Sequence, residues 1–210
     1  MSADLVETLP LPARLALSYA PARSREAVLT LLLLDRRLAD IVARRGEPAI
    51  AQLKLAWWRD RLGGDPADWP EGEPLLARLR EWPGEPRSLV PLVNGWERLL
   101  GERLDAAALE EYAHGRAAGW LAIAPDDGVA ATARQWALAD LAMHMEPGEE
   151  RDGVEAHLRG ISVKPGLPRA VRPLGVLHAL TMRALARGSG DLLDGPGAAL
   201  LALRTGLLGR

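Results

Sequence analysis

The 210-residue sequence predicts an all-α fold on three observations. From Arg23 to Leu62 apolar residues recur at three- and four-residue spacing, as on a helix with one buried face. Proline and glycine gather in clusters between such stretches, where they end helices and start turns. Asp105 and the pair Asp126-Asp127 stand just ahead of further apolar stretches, where a carboxylate can accept the N–H groups that a first helical turn leaves open. A chain of this length can bury about 70% of the surface it exposes when unfolded, so one domain over residues 1–210 is expected.

Residues 1–13 hold Asp4 and Glu7 and lack a basic start followed by an apolar run, so no secretory signal is expected. The first long helix carries Val28, Leu31, Leu32, Leu38, Ala39 and Val42 on one face, and Gly46 is expected to stop it. Glu47-Pro48 restarts the chain, because proline is tolerated in a first turn. A second helix then runs to Gly63-Gly64 and completes a helical hairpin. This second arm has apolar residues on two faces: Ile50, Leu53 and Trp57 on one, Ala51, Leu55, Trp58 and Leu62 on the other. That pattern predicts the most buried element of the protein, with both indoles inside. Asp35 falls in the middle of the first arm's apolar stripe, between Leu31, Leu38 and Val42. A carboxylate there needs a partner, and Lys54 or Arg59 of the second arm is the expected one.

Gly63 to Pro74 reads as a turn-rich linker, followed by a short helix over Leu75 to Trp82 and a second break at Pro83 to Pro86. A helix near Arg87 to Arg103 has Pro91 in its first turn and buries Leu89, Leu92, Val93, Trp96, Leu99 and Leu100. The helix capped by Asp105 carries the stripe Leu109, Tyr112, Arg116, Trp120 and Ile123. Gly115 and Gly119, beside Ala118, predict that another helix approaches it closely. Asp126-Asp127 reads as the cap of the next helix, Val129 to about Met145. After a polar loop to Gly153, helices are expected over Val154 to Arg159, Pro168 to Arg187 and Ala198 to Leu208, the last two separated by a flexible turn.

Composition excludes several kinds of chemistry. The net charge of −2 gives no basic footprint for nucleic acid. Cysteine is absent, which excludes disulfides, thiolate metal sites and cysteine nucleophiles, and fits a reducing, cytoplasmic setting. The four histidines form neither an H-x-x-x-H pair nor an H-E-x-x-H, so no metal site is expected from them. No phosphate-binding G-x-x-x-x-G-K-[ST] and no G-x-S-x-G elbow occurs. The longest apolar run, around Val28 to Leu34, is far shorter than the ~18 residues that span a bilayer, leaving a soluble or membrane-peripheral protein. The strong preference for Arg over Lys and the richness in Ala, Leu, Gly and Pro read as genomic base composition.

Arg36-x-x-Ala39-Asp40-Ile41-Val42-Ala43, followed by Leu55-Ala56-Trp57-Trp58-Arg59, resembles the first aspartate-rich motif of the squalene/phytoene synthase family, R-x-x-D-D-I-V-D, and its L-x-W-W-R helix. Tyr19 to Arg25 is similar to the family's entry segment, Leu92 to Glu97 to its L-I-D-G-x-E helix, and Tyr112 to Gly119 to its Y-x-x-x-V-A-x-x-V-G helix. Leu167 to Ala170 with Arg172-Pro173-Leu174 resembles a late segment. The resemblance implies an all-α, single-domain helical shell of the isoprenoid-synthase type, here abbreviated, with Tyr19, Arg23, Trp58 and Arg59 as substrate-binding candidates. It also implies a central cavity faced by Ala39, Asp40 and Ala43.

Where the family has carboxylates at the positions of Ala39, Asp40 and Ala43 to hold magnesium, this chain keeps the middle one. The second aspartate-rich motif falls near Gln135 to Glu149, where Asp140 stands without a second acid at one-turn spacing. Asp40, Arg36 and Asp140 are therefore the candidates for a remnant catalytic site. For Asp40 the other reading is an ion-pair row, since it lies four residues from both Arg36 and Arg44. Without its metals a diphosphate loses the electrostatic support for ionisation, where one lost stabilising group can cost ~10²- to 10³-fold in rate. The expected function is thus a non-catalytic member of the family, an interaction or assembly factor with another protein as partner, using no metal or cofactor. The alternative is a prenyl-diphosphate transferase with magnesium, or a binder of an apolar isoprenoid, using a reduced acidic site.

Overall fold

Residues 2–44, 47–101, 103–164 and 166–209 are described by a computed structural model, and among them every regular element is helical. In chain order these are α1 (Ser2–Glu7), α2 (Leu11–Ser18), α3 (Ala22–Ala43), α4 (Pro48–Gly63), α5 (Pro74–Leu79), α6 (Val90–Arg98), α7 (Ala106–Ile123), α8 (Asp127–Met143), α9 (Glu149–Arg159), α10 (Arg172–Arg187) and α11 (Pro196–Leu208). Three 3₁₀ turns, Pro66–Asp68, Pro86–Leu89 and Arg169–Val171, join them. One hydrophobic core runs from Leu9 to Ala202.

The caps read from sequence are in place. Asp105 accepts the Ala108 N–H at 2.8 Å, and Asp126 accepts those of Gly128 and Val129 at 2.8 and 3.2 Å. Pro91 lies at the start of α6. The helix stop assigned to Gly46 lies outside the described residues; α3 ends at Ala43, with Arg44 already extended. The helix expected from Arg87 to Arg103 divides into a 3₁₀ turn and the shorter α6, which closes after Arg98 in tighter i→i+3 turns at Leu99 to Gly101. Helices α1 and α2 carried no sequence expectation.

α7 is the central post, packed on α6, α8 and α3. Its glycines set the spacing. A Cβ on Gly115 would stand 2.4 Å from the Pro91 carbonyl oxygen and 2.8 Å from the Gly95 Cα of α6, and one on Gly119 would meet Leu31 of α3 at 2.3 Å. Neither glycine can gain a side chain without pushing a helix away. On the far side of α8, Gln135 donates to the Ile161 carbonyl at 3.0 Å and accepts from His178 Nε2 of α10 at 2.6 Å. Helix α9 is tied to α7 by His157, which shares Glu110 with Arg134; burial works against the Glu110 charge, yet these two donors lower its pKa.

One expectation is overturned. The second arm of the hairpin, α4, is not the most buried element. Ala51, Leu55, Trp58 and Leu62 form its buried face, packed chiefly on α6, while Leu53 is 72% and Trp57 38% exposed and Ile50 also faces outward. The sequence places apolar residues on both faces, but the fold covers only one, because among the described residues no helix lies over the other. The two indoles still meet edge to face, 5.1 Å between centroids.

Two outcomes follow for stability. Trp58→Ala should destabilise by ~3–5 kcal/mol and Trp57→Ala by about 1 kcal/mol, read as shifts of the urea unfolding midpoint. Burial holds the His178 pKa down at about 4, against 6.5 for the free side chain. Between those values the unfolded chain binds a proton that the folded one refuses. About 3 kcal/mol of stability, complete above pH 6.5, is therefore lost as pH falls to about 4, and His178→Gln should remove that part of the acid slope.

Candidate functional site

The site forms where α3, α7 and α8 meet. Asp35 sits on the inward face of α3 among leucines, as its place in the apolar stripe requires, and its side chain is 13% exposed. Its partner comes from α7. Arg116 forks onto it, Nη2 to Oδ2 at 2.6 Å and Nε to Oδ1 at 3.1 Å, and Trp96 Nε1 of α6 adds a third bond to Oδ1 at 2.8 Å. The remaining Arg116 nitrogen, Nη1, donates to Asp140 Oδ2 of α8 at 2.7 Å and to the Tyr112 hydroxyl at 3.0 Å. The expectation that Lys54 or Arg59 would pair with Asp35 is thus corrected. Both are on the wrong side of α4: Lys54 is exposed, and Arg59 bonds Glu97 and Asn94 of α6.

Arg116 is 3% exposed, and its guanidinium lies 4.1 Å from the Trp136 ring centroid, 5.0 Å from that of Trp96 and 5.7 Å from that of Tyr112. Aromatic faces are negative and suit a cation that has lost its water. Burial works against the charge, but the neighbouring Asp35, with Asp140, outweighs it and raises the Arg116 pKa further. Burial likewise pushes the Tyr112 phenol up, so Tyr112 stays neutral and serves as an acceptor. Trp96 packs edge to face on Tyr112 at 5.4 Å and Trp136 on Trp120 at 6.0 Å, which holds the cage in one arrangement.

This cluster forms one end of a cavity of about 420 Å³. Leu32, Ala39, Asp40, Val42 and Ala43 of α3 make one wall, Trp96 and Leu99 of α6 another, and Trp136, Asp140 and Leu141 of α8 a third. Leu9, Pro10, Pro12 and Ala13, at and before the start of α2, close a further side. Its size falls within the ~300–1,000 Å³ of small-molecule pockets. The face bearing Ala39, Asp40 and Ala43 looks into it, as the motif's position implied.

Of the residues singled out from sequence, Arg36, Asp40 and Asp140 line this cavity. Asp40 bonds the Arg36 Nε at 2.9 Å, and both side chains are about half exposed. Tyr19, Arg23, Trp58 and Arg59 lie elsewhere. Tyr19 packs on Gly206 of α11, where a Cβ would come within 2.3 Å of its ring, and Arg23 is exposed on the first turn of α3. Trp58, on the buried face of α4, has the Arg37 guanidinium of α3 5.9 Å from its ring and lines a second groove, which Asp40 also lines. Sequence reasoning did not place Arg116, Trp96, Tyr112 and Trp136 in a site. The available signal was a pair of opposite charges, Asp35 and Arg116, each stranded in an apolar stripe.

A family model described as squalene/phytoene synthase matches residues 13–123, just over half of the chain. The chain belongs to the squalene/phytoene synthase family. No curated protein and no solved structure matches it. The matched span reaches from α2 through α7, so it includes the cavity wall with Asp40 and both Asp35 and Arg116, while α8 with Asp140 lies beyond it. The fold is all-α, of the isoprenoid-synthase type.

The magnesium that this fold family implies does not fit the residues present. Magnesium is held through carboxylates free to point at it. Here Asp35 is saturated by Arg116 and Trp96, while Asp140 and Asp40, on different helices, each keep only the oxygen that Arg116 and Arg36 leave free. Among the described residues no three acid or histidine side chains converge as a metal-binding group.

Removing the cation from such a cluster leaves two inward carboxylates uncompensated, whereas neutralising one acid leaves the other pair intact. Arg116→Met should cost ~3–5 kcal/mol, more than Asp35→Asn, and Arg116→Lys should recover little because an ammonium cannot fork onto Asp35 while reaching Asp140. Chemical denaturation of the three variants ranks them.

Proposed function

We propose that this chain is a non-catalytic squalene/phytoene-synthase-like protein that works by binding, and that its cavity takes an elongated apolar ligand without metal. One observation supports this above the rest: the acids that face each other across the cavity end are both bound by one arginine of the same chain. A prenyl diphosphate would bring about three negative charges to a wall with three carboxylates and two already-paired guanidiniums, with no metal to offset them. The apolar walls remain suited to a hydrocarbon chain, whose burial alone is favourable.

The second reading is the interaction or assembly factor, with another protein as partner. It is favoured by the open apolar faces of α4 (Ile50, Leu53, Trp57) and α11 (Leu200, Leu203, Leu207), which are larger than scattered surface leucines require. Peripheral membrane association would use the same faces; among the described residues no helix is long and apolar enough to cross a bilayer.

Calorimetry with a non-hydrolysable farnesyl diphosphate analogue, with and without magnesium, tests the first reading against prenyl transfer. The expected result is no gain from magnesium and no turnover of farnesyl diphosphate. Magnesium-dependent binding that Asp40→Ala abolishes, or any diphosphate release, would return the chain to the transferases.

A further inference from the structure

We infer that the cavity selects a ligand whose apolar chain ends in a hydrogen-bond donor, a hydroxyl or a protonated amine, and that Asp140 Oδ1 is the atom that receives it. The inference rests on the binding function proposed above and specifies the head group.

The polar atoms at the cavity end are almost all committed. Both Asp35 oxygens accept from Arg116, and one also from Trp96. The Tyr112 hydroxyl accepts from Arg116. Asp140 differs. Its Oδ2 accepts from Arg116 Nη1 at 2.7 Å, while Oδ1 has no hydrogen-bond donor among the described residues. His144, one turn on, is the closest candidate, but its Nδ1 stands 4.0 Å from Oδ1 and is engaged by the Asp140 backbone oxygen at 2.7 Å. Oδ1 is not among the polar atoms that are sealed without a partner, and the Asp140 side chain is 23% exposed where it lines the cavity. It is an unpaired carboxylate oxygen on a residue that lines the cavity.

Such an oxygen discriminates by chemistry. A hydroxyl or ammonium at the end of a chain donates to it, and hydrogen bonds to a charged group are among the stronger ones. An ether or a hydrocarbon leaves it unpaired. An anion meets it as a like charge, because the lining carries Asp35, Asp40 and Asp140 against Arg36 and Arg116, one negative charge in excess. Arg116 fixes the direction of this preference, because it holds Oδ2 and leaves Oδ1 for a donor.

The test is equilibrium binding to the full chain of farnesol, farnesylamine and farnesyl methyl ether, followed by calorimetry or by quenching of the indoles Trp96 and Trp136. Farnesol and the amine should each bind about tenfold tighter than the ether. Asp140→Ala should bring the three together. In Asp140→Asn the amide oxygen can keep Arg116 while the NH2 faces the cavity, so the preference over the ether should likewise vanish in a variant that retains the arginine bond. An amine tighter than the alcohol supports the excess negative charge, and the reverse order supports the hydrogen bond alone. Equal binding of ether and alcohol to the native chain, or a preference that survives both substitutions, overturns this inference and leaves the apolar-ligand function standing. Failure of all three to bind overturns both.

Discussion

The arrangement depends on one buried cation. Arg116 reaches from α7 to acids on α3 and α8, and those three helices enclose the end of the cavity. Its desolvation is offset only because both carboxylates, the phenol oxygen and two indole faces surround it at once. A buried ion pair is weak evidence for net stability, since a well-packed apolar substitute can serve as well. Its effect here is geometric. It fixes the positions of three helices around a space, and it decides which oxygen atoms the space can use.

The glycines of α7 make that geometry possible. Arg116 can bond to both α3 and α8 because its backbone lies close to α6 and α3, with no Cβ at Gly115 or Gly119 to hold them apart. The same close approach brings Trp96 against Tyr112 and over the guanidinium. The small residues of α7 and its large polar or aromatic ones thus form adjacent stripes that act together, a pattern legible before any contact is known.

Much of the fold could be read from sequence for that reason. The caps at Asp105 and Asp126, the proline at the start of α6 and the glycine approach on α7 are local features, decided within one turn or by the absence of a side chain. The errors came where the answer depended on distant neighbours. Periodicity shows that α4 has two apolar faces, yet only tertiary packing decides that one stays open. Asp35 was correctly read as needing a cation, but its partner lies 81 residues away on α7, and proximity in sequence favoured the wrong arm of the hairpin. The cavity end was missed because its members come from four helices, each supplying one or two residues that look unremarkable alone.

The three-residue charge cluster also constrains how this chain can change over generations. Asp35, Arg116 and Asp140 lie on three separate segments, so no single substitution can remove the set without leaving a charge behind. A lineage that placed acids at Ala39 and Ala43 would add negative charge to a wall whose buried cation, Arg116, is already engaged. To free Asp140 and Asp35 for a metal it would have to give up Arg116 first, and so pass through a less stable intermediate. Recruitment of a metal to this end of the cavity is therefore obstructed by folding itself, whereas exchange of the apolar wall residues is not.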